Sequence, residues 1–135
     1  MTLTDAGILF ALVDKKQDAH VRCRSILSQI SKPLLTPWPC FTEAMYFAYK
    51  TGGWERQRLL WELLNSGLLK IYFTTEEETF RMQELMLQYR DTPMDVADAA
   101  LVSAAEALGH VRIFTLDSDF YFYLRNGIEP FEVVP

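Results

Sequence analysis

Along this chain, short apolar runs alternate with longer stretches in which apolar residues recur every three to four positions. The short runs fall at residues 2–4, 33–36, 68–73, 111–115 and 131–134, and each reads as a strand. Helical periodicity is expected over residues 8–12, 18–30, 54–65, 76–89 and 92–108, with a further helix entered at Pro37 and Pro39 and stopped at Thr51-Gly52-Gly53. A short aromatic helix is expected at residues 120–124. The positions expected to face inward are Val21, Ile26, Leu27 and Ile30; Phe41, Ala44, Met45, Phe47 and Ala48; Leu60, Trp61 and Leu64; and Met94, Leu101, Ala105 and Leu108. Leu60, Trp61 and Leu64 suit a core, and a partner-binding face is the sharper alternative. Strands that alternate with helices predict a parallel sheet covered on both faces, hence an α/β fold. At 135 residues the chain is expected to form one domain, residues 1–135, long enough to bury roughly 68% of its unfolded surface. There are no repeats or low-complexity segments.

Against this apolar pattern, several acids stand out. Asp5 follows the first strand, Glu43 lies inside an apolar helical run beside Cys40 and Phe47, and Asp98 sits next to the apolar stripe of residues 92–108. Asp117 and Asp119 follow the strand at 111–115. Other acids have simpler readings. Thr75 with Glu78 fits a capping box that accounts for Glu76-Glu77-Glu78, and Thr92 with Asp95 fits another, with Asp95 turned towards Glu106 on the polar side. Asp5 also suits a helix N-cap, and Glu43 an early-turn charge or an ion pair.

In parallel sheets, ligands gather beyond the carboxyl ends of the strands where the strand order switches. If the strands before Asp5 and Asp117 are neighbours, those acids lie side by side there, and helices carrying Glu43 and Asp98 bring two more. Converging carboxylates repel one another unless protons or cations neutralise them. Oxygen ligands without His or Cys suit Mg²⁺ or Mn²⁺, and such ions serve metal-assisted phosphodiester hydrolysis.

Composition adds bounds. Half the residues are hydrophobic and 23% are charged, an ordinary globular balance. The net charge of −5 is the wrong sign for nucleic-acid binding by bulk electrostatics, although a bound metal would neutralise part of an acidic site. Lys15, Lys16, Arg22, Arg24 and Arg112 are weak candidates for a basic nucleic-acid track, and His20 reads as structural. Cys23 and Cys40 lack metal-ligand spacing and read as small buried residues of a reduced, cytoplasmic protein. Neither a signal segment nor about eighteen uninterrupted apolar residues is present, so no membrane association is expected.

Asp5 after a short first strand, Thr42-Glu43-Ala44, Ala97-Asp98-Ala99 before Leu101-Val102, and Thr115-Leu116-Asp117-Ser118-Asp119-Phe120 together resemble a PIN domain, most closely the toxin ribonucleases of VapC type. The resemblance spans nearly the whole chain in the right order, and the last two motifs are its most specific part. It implies a three-layer α/β/α fold with a central parallel sheet of four to five strands. It also implies an Mg²⁺- or Mn²⁺-dependent endoribonuclease acting on RNA, a homodimer, and a cognate antitoxin encoded beside it. Carried over by motif, Asp5, Asp98 and Asp117 bind metal directly or through water, and Glu43 binds metal or orients the attacking water. Asp119 is an accessory acid, and Thr115 holds Asp117 or helps place the substrate. One departure is Ala6, where the family often has a hydroxyl.

Two other readings compete. Asp5-Ala6-Gly7 lacks the paired acids after the first strand that a haloacid dehalogenase-like phosphatase or a receiver domain requires, which disfavours another Asp-based phosphohydrolase. A catalytically idle PIN-like module that only binds partners is the alternative from a different class.

Overall fold

A computed structural model describes residues 1–135. Five strands form one parallel sheet: β1 (Thr2–Thr4), β2 (Leu34–Pro37), β3 (Leu69–Tyr72), β4 (Arg112–Phe114) and, last in the chain, β7 (Glu132–Val134). A small antiparallel hairpin, β5 (Leu124–Arg125) with β6 (Glu129–Pro130), stands apart from it. The sheet order is β3-β2-β1-β4-β7. The chain therefore builds outward from β1 to one edge, then returns to place β4 on the other side of β1. That reversal makes the β1–β4 boundary the crevice where an open parallel sheet admits ligands. In register, Leu3 pairs with Leu35 on one side and with Ile113 on the other.

Helices α1 (Ala6–Val13), α2 (His20–Leu27), α3 (Trp38–Asn65), α4 (Glu76–Gln88) and α5 (Val96–Leu108) cover the sheet as the flanking layers of an α/β/α fold. α1 packs on α2 and α3, and α5 packs on α4, α3 and the central strands. Every residue of α5 from Ala97 to Ala105 is buried, and its many alanines let the helix lie close to its neighbours. A helix apolar on all sides is a core helix. Gly109 ends it in the left-handed conformation (φ 69°), which favours glycine. The core joins Leu3, Leu9, Leu34, Phe41, Leu69, Leu101, Phe114 and Phe120, all essentially without solvent contact.

Several sequence expectations are corrected in detail. The break at Thr51-Gly52-Gly53 is a kink at Gly53 (φ 62°, ψ −154°) between two helical stretches of α3. α2 is shorter than expected and turns His20 and Cys23 inward, so Val21, about 100° further round, is exposed. The His20 ring Nδ1 lies 2.6 Å from the Ala11 carbonyl oxygen, in keeping with its structural reading. α5 starts at Val96 rather than 92, because Asp95 and not Thr92 supplies the cap: its Oδ1 accepts from the Asp98 N–H at 2.8 Å. Asp95 consequently does not face Glu106, which instead takes a bidentate bond from Arg81. Leu108, the last residue of α5, and Phe47 are exposed rather than buried. Leu60 is core, and Trp61 packs edge-on against Phe41 at 5.2 Å. The aromatic helix is a 3-10 turn over Ser118–Tyr121 instead, after which the chain brings Tyr123 inward. No helix is long and apolar enough to cross a membrane.

Candidate metal centre

Asp5 ends β1 at the crevice. Its backbone N–H donates to the Phe114 carbonyl of β4 at 2.9 Å, so the first acid is tied to the neighbouring strand. Its side chain then caps α1, with Oδ1 accepting from the Ala6 N–H at 2.7 Å. The capping reading is correct as far as it goes. The other oxygen, Oδ2, accepts from the Thr115 hydroxyl at 2.7 Å. That hydroxyl is buried just beyond β4 and in turn accepts from the Asp117 N–H at 3.0 Å. One threonine thus sets Asp5 and the Asp117 backbone against each other across the β1–β4 boundary.

Asp117 caps the 3-10 turn, its Oδ1 accepting from the Asp119 N–H at 2.9 Å. Asp98, in the first turn of α5, completes the group: Asp5, Asp98 and Asp117 each offer a carboxylate oxygen, and these atoms lie within 4.8 Å of one another. Asp98 Oδ2 accepts from the Tyr123 hydroxyl at 3.1 Å.

Glu43, half-buried on α3, lies outside this trio but lines the same cleft, about 300 Å³ in volume, with Asp95 and Phe47 on its walls. No lysine or arginine lines that cleft. Asp119 is in neither the trio nor the cleft wall; only its backbone touches Asp117.

The electrostatics follow from this crowding. Burial pushes the Asp5 carboxyl above its ordinary value and the Asp117 and Asp95 charges push it further, against the pull of the Thr115 and Ala6 hydrogen bonds. Burial, then Asp95 and Asp5, push Asp98 up to about 7 from the usual 3.8, with the Tyr123 bond working the other way. Glu43 is raised by burial first and by Asp95, Asp5 and Asp117 next. Tyr123 is raised as well, by burial and by its contact with Asp98, so its hydroxyl stays protonated and donates. Cys40, in the same neighbourhood, donates its thiol to the Ala97 carbonyl at 3.6 Å and is pushed well above the thiol range by burial, which leaves it inert.

A fold tolerates such repulsion when an external cation relieves it. The donors are carboxylate oxygens alone, converging from three separate elements and already oriented by hydrogen bonds. This set fits a hard divalent cation such as Mg²⁺ or Mn²⁺.

Tyr123 was not singled out from sequence, since a buried aromatic beside Phe120 reads as core packing and its hydroxyl leaves no periodic signal. Helical phase from Thr92 puts Asp95 on the polar side, yet it lines the cleft as well as capping α5.

The PIN domain family model matches residues 2–123, nearly the whole chain. The chain belongs to the PIN-domain family. No curated protein matches it in sequence. Among solved structures, this PIN domain is similar to VapC20 of Mycobacterium tuberculosis, a sarcin-ricin loop cleaving toxin, at 12% identity and a TM-score of 0.81, over 88% of this chain and 92% of that one. It is also similar to VapBC2 of Rickettsia felis bound to a DNA fragment from its promoter, at 16% identity and TM-score 0.71, over 99% and 98% of the two chains. A toxin–antitoxin complex from Klebsiella pneumoniae matches at 17% identity and TM-score 0.70, over 98% and 99%. At these identities the likeness is one of fold.

Proposed function

We propose that this PIN-domain protein is a Mg²⁺- or Mn²⁺-dependent endoribonuclease, the toxin of a VapBC-type pair, acting as a homodimer in the cytoplasm with residues 1–135 as its single domain. The observation that carries the reading is the convergence of Asp5, Asp98 and Asp117 to within 4.8 Å at the β1–β4 crevice, with no basic residue in the cleft to neutralise them. The structural relatives support the toxin role and a cognate antitoxin partner, since one is a toxin and two are VapBC or toxin–antitoxin assemblies.

Asp5, Asp98 and Asp117 would hold the metal, and Glu43 on the cleft wall would join them or orient the attacking water. When bound, Mg²⁺ or Mn²⁺ would supply Lewis-acid stabilisation of the phosphodiester and would lower the pKa of a water so that it gives up its proton more readily. Thr115 fixes the Asp5 carboxylate and, through the Asp117 N–H, the distance between the two acids. Tyr123 fixes Asp98. Glu43, half-buried on the cleft wall, would accept a hydrogen bond from the attacking water and so orient it if it is not itself a metal ligand. Asp119 steadies Asp117 through its backbone alone.

The test is cleavage of a mixed cellular RNA pool by purified protein in Mn²⁺, in Mg²⁺ and in chelator, with Asp98→Asn prepared identically. The reading predicts metal-dependent cutting that the variant loses. No cutting in any condition would move the assignment to a PIN module that acts only by binding partners.

A further inference from the structure

No lysine or arginine lines the acidic cleft, and the chain as a whole carries a net charge of −5, so an RNA strand approaching the site needs local positive charge from somewhere. The basic residues sort clearly by position. Arg112 is engaged by Glu132 on β7, its Nη2 2.6 Å from Oε1. Lys15 and Lys16 line a cavity with Asp14 and Arg56 at the far end of α1, and Arg24 lines an apolar groove with Leu12 and Leu63. Arg22 shares with Lys15, Lys16 and Arg24 the lack of a side-chain partner and differs from them in its place, beside the acids. It is exposed on α2, forms no ion pair or side-chain hydrogen bond, and lines a pocket with Thr115, Leu116, Asp117, Ser118 and Tyr121.

That pocket shares Leu116 and Asp117 with the acidic cleft, so the two adjoin across these residues, just past the end of β4. Its volume is about 200 Å³, below the roughly 300–1,000 Å³ of sites that enclose drug-sized ligands, so it suits a single phosphate or ring and not a duplex. It combines a free guanidinium, a hydroxyl (Ser118) and the ring of Tyr121, which is 70% exposed and so open to a stacking partner. An aromatic face beside a cation is the pairing with which proteins hold unpaired nucleotides, stacking the base and neutralising the phosphate.

We infer that Arg22 and Tyr121 form a subsite for the nucleotide next to the scissile phosphate, Arg22 taking its phosphate and Tyr121 stacking its base. The inference rests on the ribonuclease reading and adds to it the direction in which the strand leaves the acids: across Leu116 towards α2. Arg22 and Tyr121 are specificity and positioning residues in this account.

The experiment measures binding of a fluorescently labelled, random-sequence single-stranded RNA by anisotropy, with Ca²⁺ as the hard cation and over a range of salt concentrations. Arg22→Ala is expected to weaken binding about tenfold and to make the slope of log K against log salt shallower by about 0.7, the value for one lost phosphate contact on a single strand. Arg22→Lys should recover most of the slope. Tyr121→Ala should weaken binding by about tenfold or more with the slope unchanged. Arg24→Ala, on the same helix but facing a different groove, should match the unaltered protein. Both altered side chains are exposed, so folding is not at stake. An Arg22→Ala protein with unchanged affinity and slope, or an equal effect from Arg24→Ala, would overturn the subsite even if the unaltered protein cuts cellular RNA. Failure of the unaltered protein to cut RNA would instead strike the ribonuclease reading itself.

Discussion

Helix α1 begins and ends on a buried aspartate, and the fold treats the two in opposite ways. Asp14, at the C-terminal end, accepts from the Lys16 N–H at 3.0 Å and the Gln17 amide at 3.1 Å and lies 3.4 Å from the Arg56 guanidinium. Burial alone would raise its pKa, but these bonds and the Arg56 charge hold it below the ordinary value. Asp5, at the N-terminal end, is offered hydrogen bonds yet no cation, and its nearest charges are other acids that push its pKa up. An acid whose role is to hold the fold together is neutralised from within the chain. An acid left facing its own kind marks a site whose neutralising charge must come from outside.

The largest effect that would break this contrast is on activity. Asp98→Asn keeps the shape of the side chain and removes one repelling charge, so RNA cleavage should fall by more than about 100-fold, beyond what loss of a mere orienting partner costs. Stability without metal should be unchanged or improved. A marked fall in metal-free stability, read by chemical denaturation, would mean that Asp98 is an ordinary structural acid.

The next effect is on pH. A carboxyl group with a folded-state pKa of about 7 against 3.8 binds more protons folded than unfolded between those values. Its stabilising contribution is full below about pH 4 and is lost as pH rises through about 7, the reverse of an ordinary paired aspartate. Metal-free protein should therefore lose stability between about pH 4 and 7 relative to Asp98→Asn, by up to a few kcal/mol at the conversion of 1.36 kcal/mol per pKa unit. Parallel pH profiles for the two proteins would contradict the crowding argument.

At the other end of α1, Arg56→Ala should behave inversely. It leaves Asp14 buried with only neutral partners, a cost of about 1–3 kcal/mol in unfolding free energy, with cleavage unchanged wherever the protein remains folded. A selective loss of activity without loss of stability would couple the two ends of the helix. The smallest expected effect is that of Asp95→Asn. Asparagine caps a helix about as well as aspartate, and Asp95 is outside the oxygen trio, so cleavage should change little, while metal-free stability should rise slightly because one charge that pushes Asp98 and Glu43 up is gone. A loss equal to that at Asp98 would show that the wrong acid was assigned to the metal.

Much of this was legible in the sequence for identifiable reasons. The alternation of short apolar runs with helical stripes predicts a parallel sheet because each element must bury one face, and the observed order β3-β2-β1-β4-β7 is that architecture. Asp98 was readable as an inward acid since helical phase alone sets it beside the buried stripe. Val21 reads as inward because it is apolar, but the inward stripe of α2 runs through His20, Cys23 and Leu27, three and four residues apart, and Val21 lies about 100° off it. Asp95 differs for another reason: as the cap of α5 it has extended backbone, so helical phase does not set its direction, and it lines the cleft. Tyr123 and the pairing of Thr115 with Asp5 across the sheet could not be read at all. They depend on which strands are neighbours and on where a hydroxyl points, and neither leaves a mark on apolar periodicity.

The central claim is that the trio at the β1–β4 crevice waits for a cation. The most direct measurement is thermal unfolding at pH 8 during titration with Mn²⁺, for the unaltered protein and Asp98→Asn side by side. Because a ligand that binds only the folded state raises stability by mass action, the account predicts a melting temperature that climbs with Mn²⁺ for the unaltered protein and stays flat for the variant. Equal climbs in both proteins, or no climb in either, would contradict it.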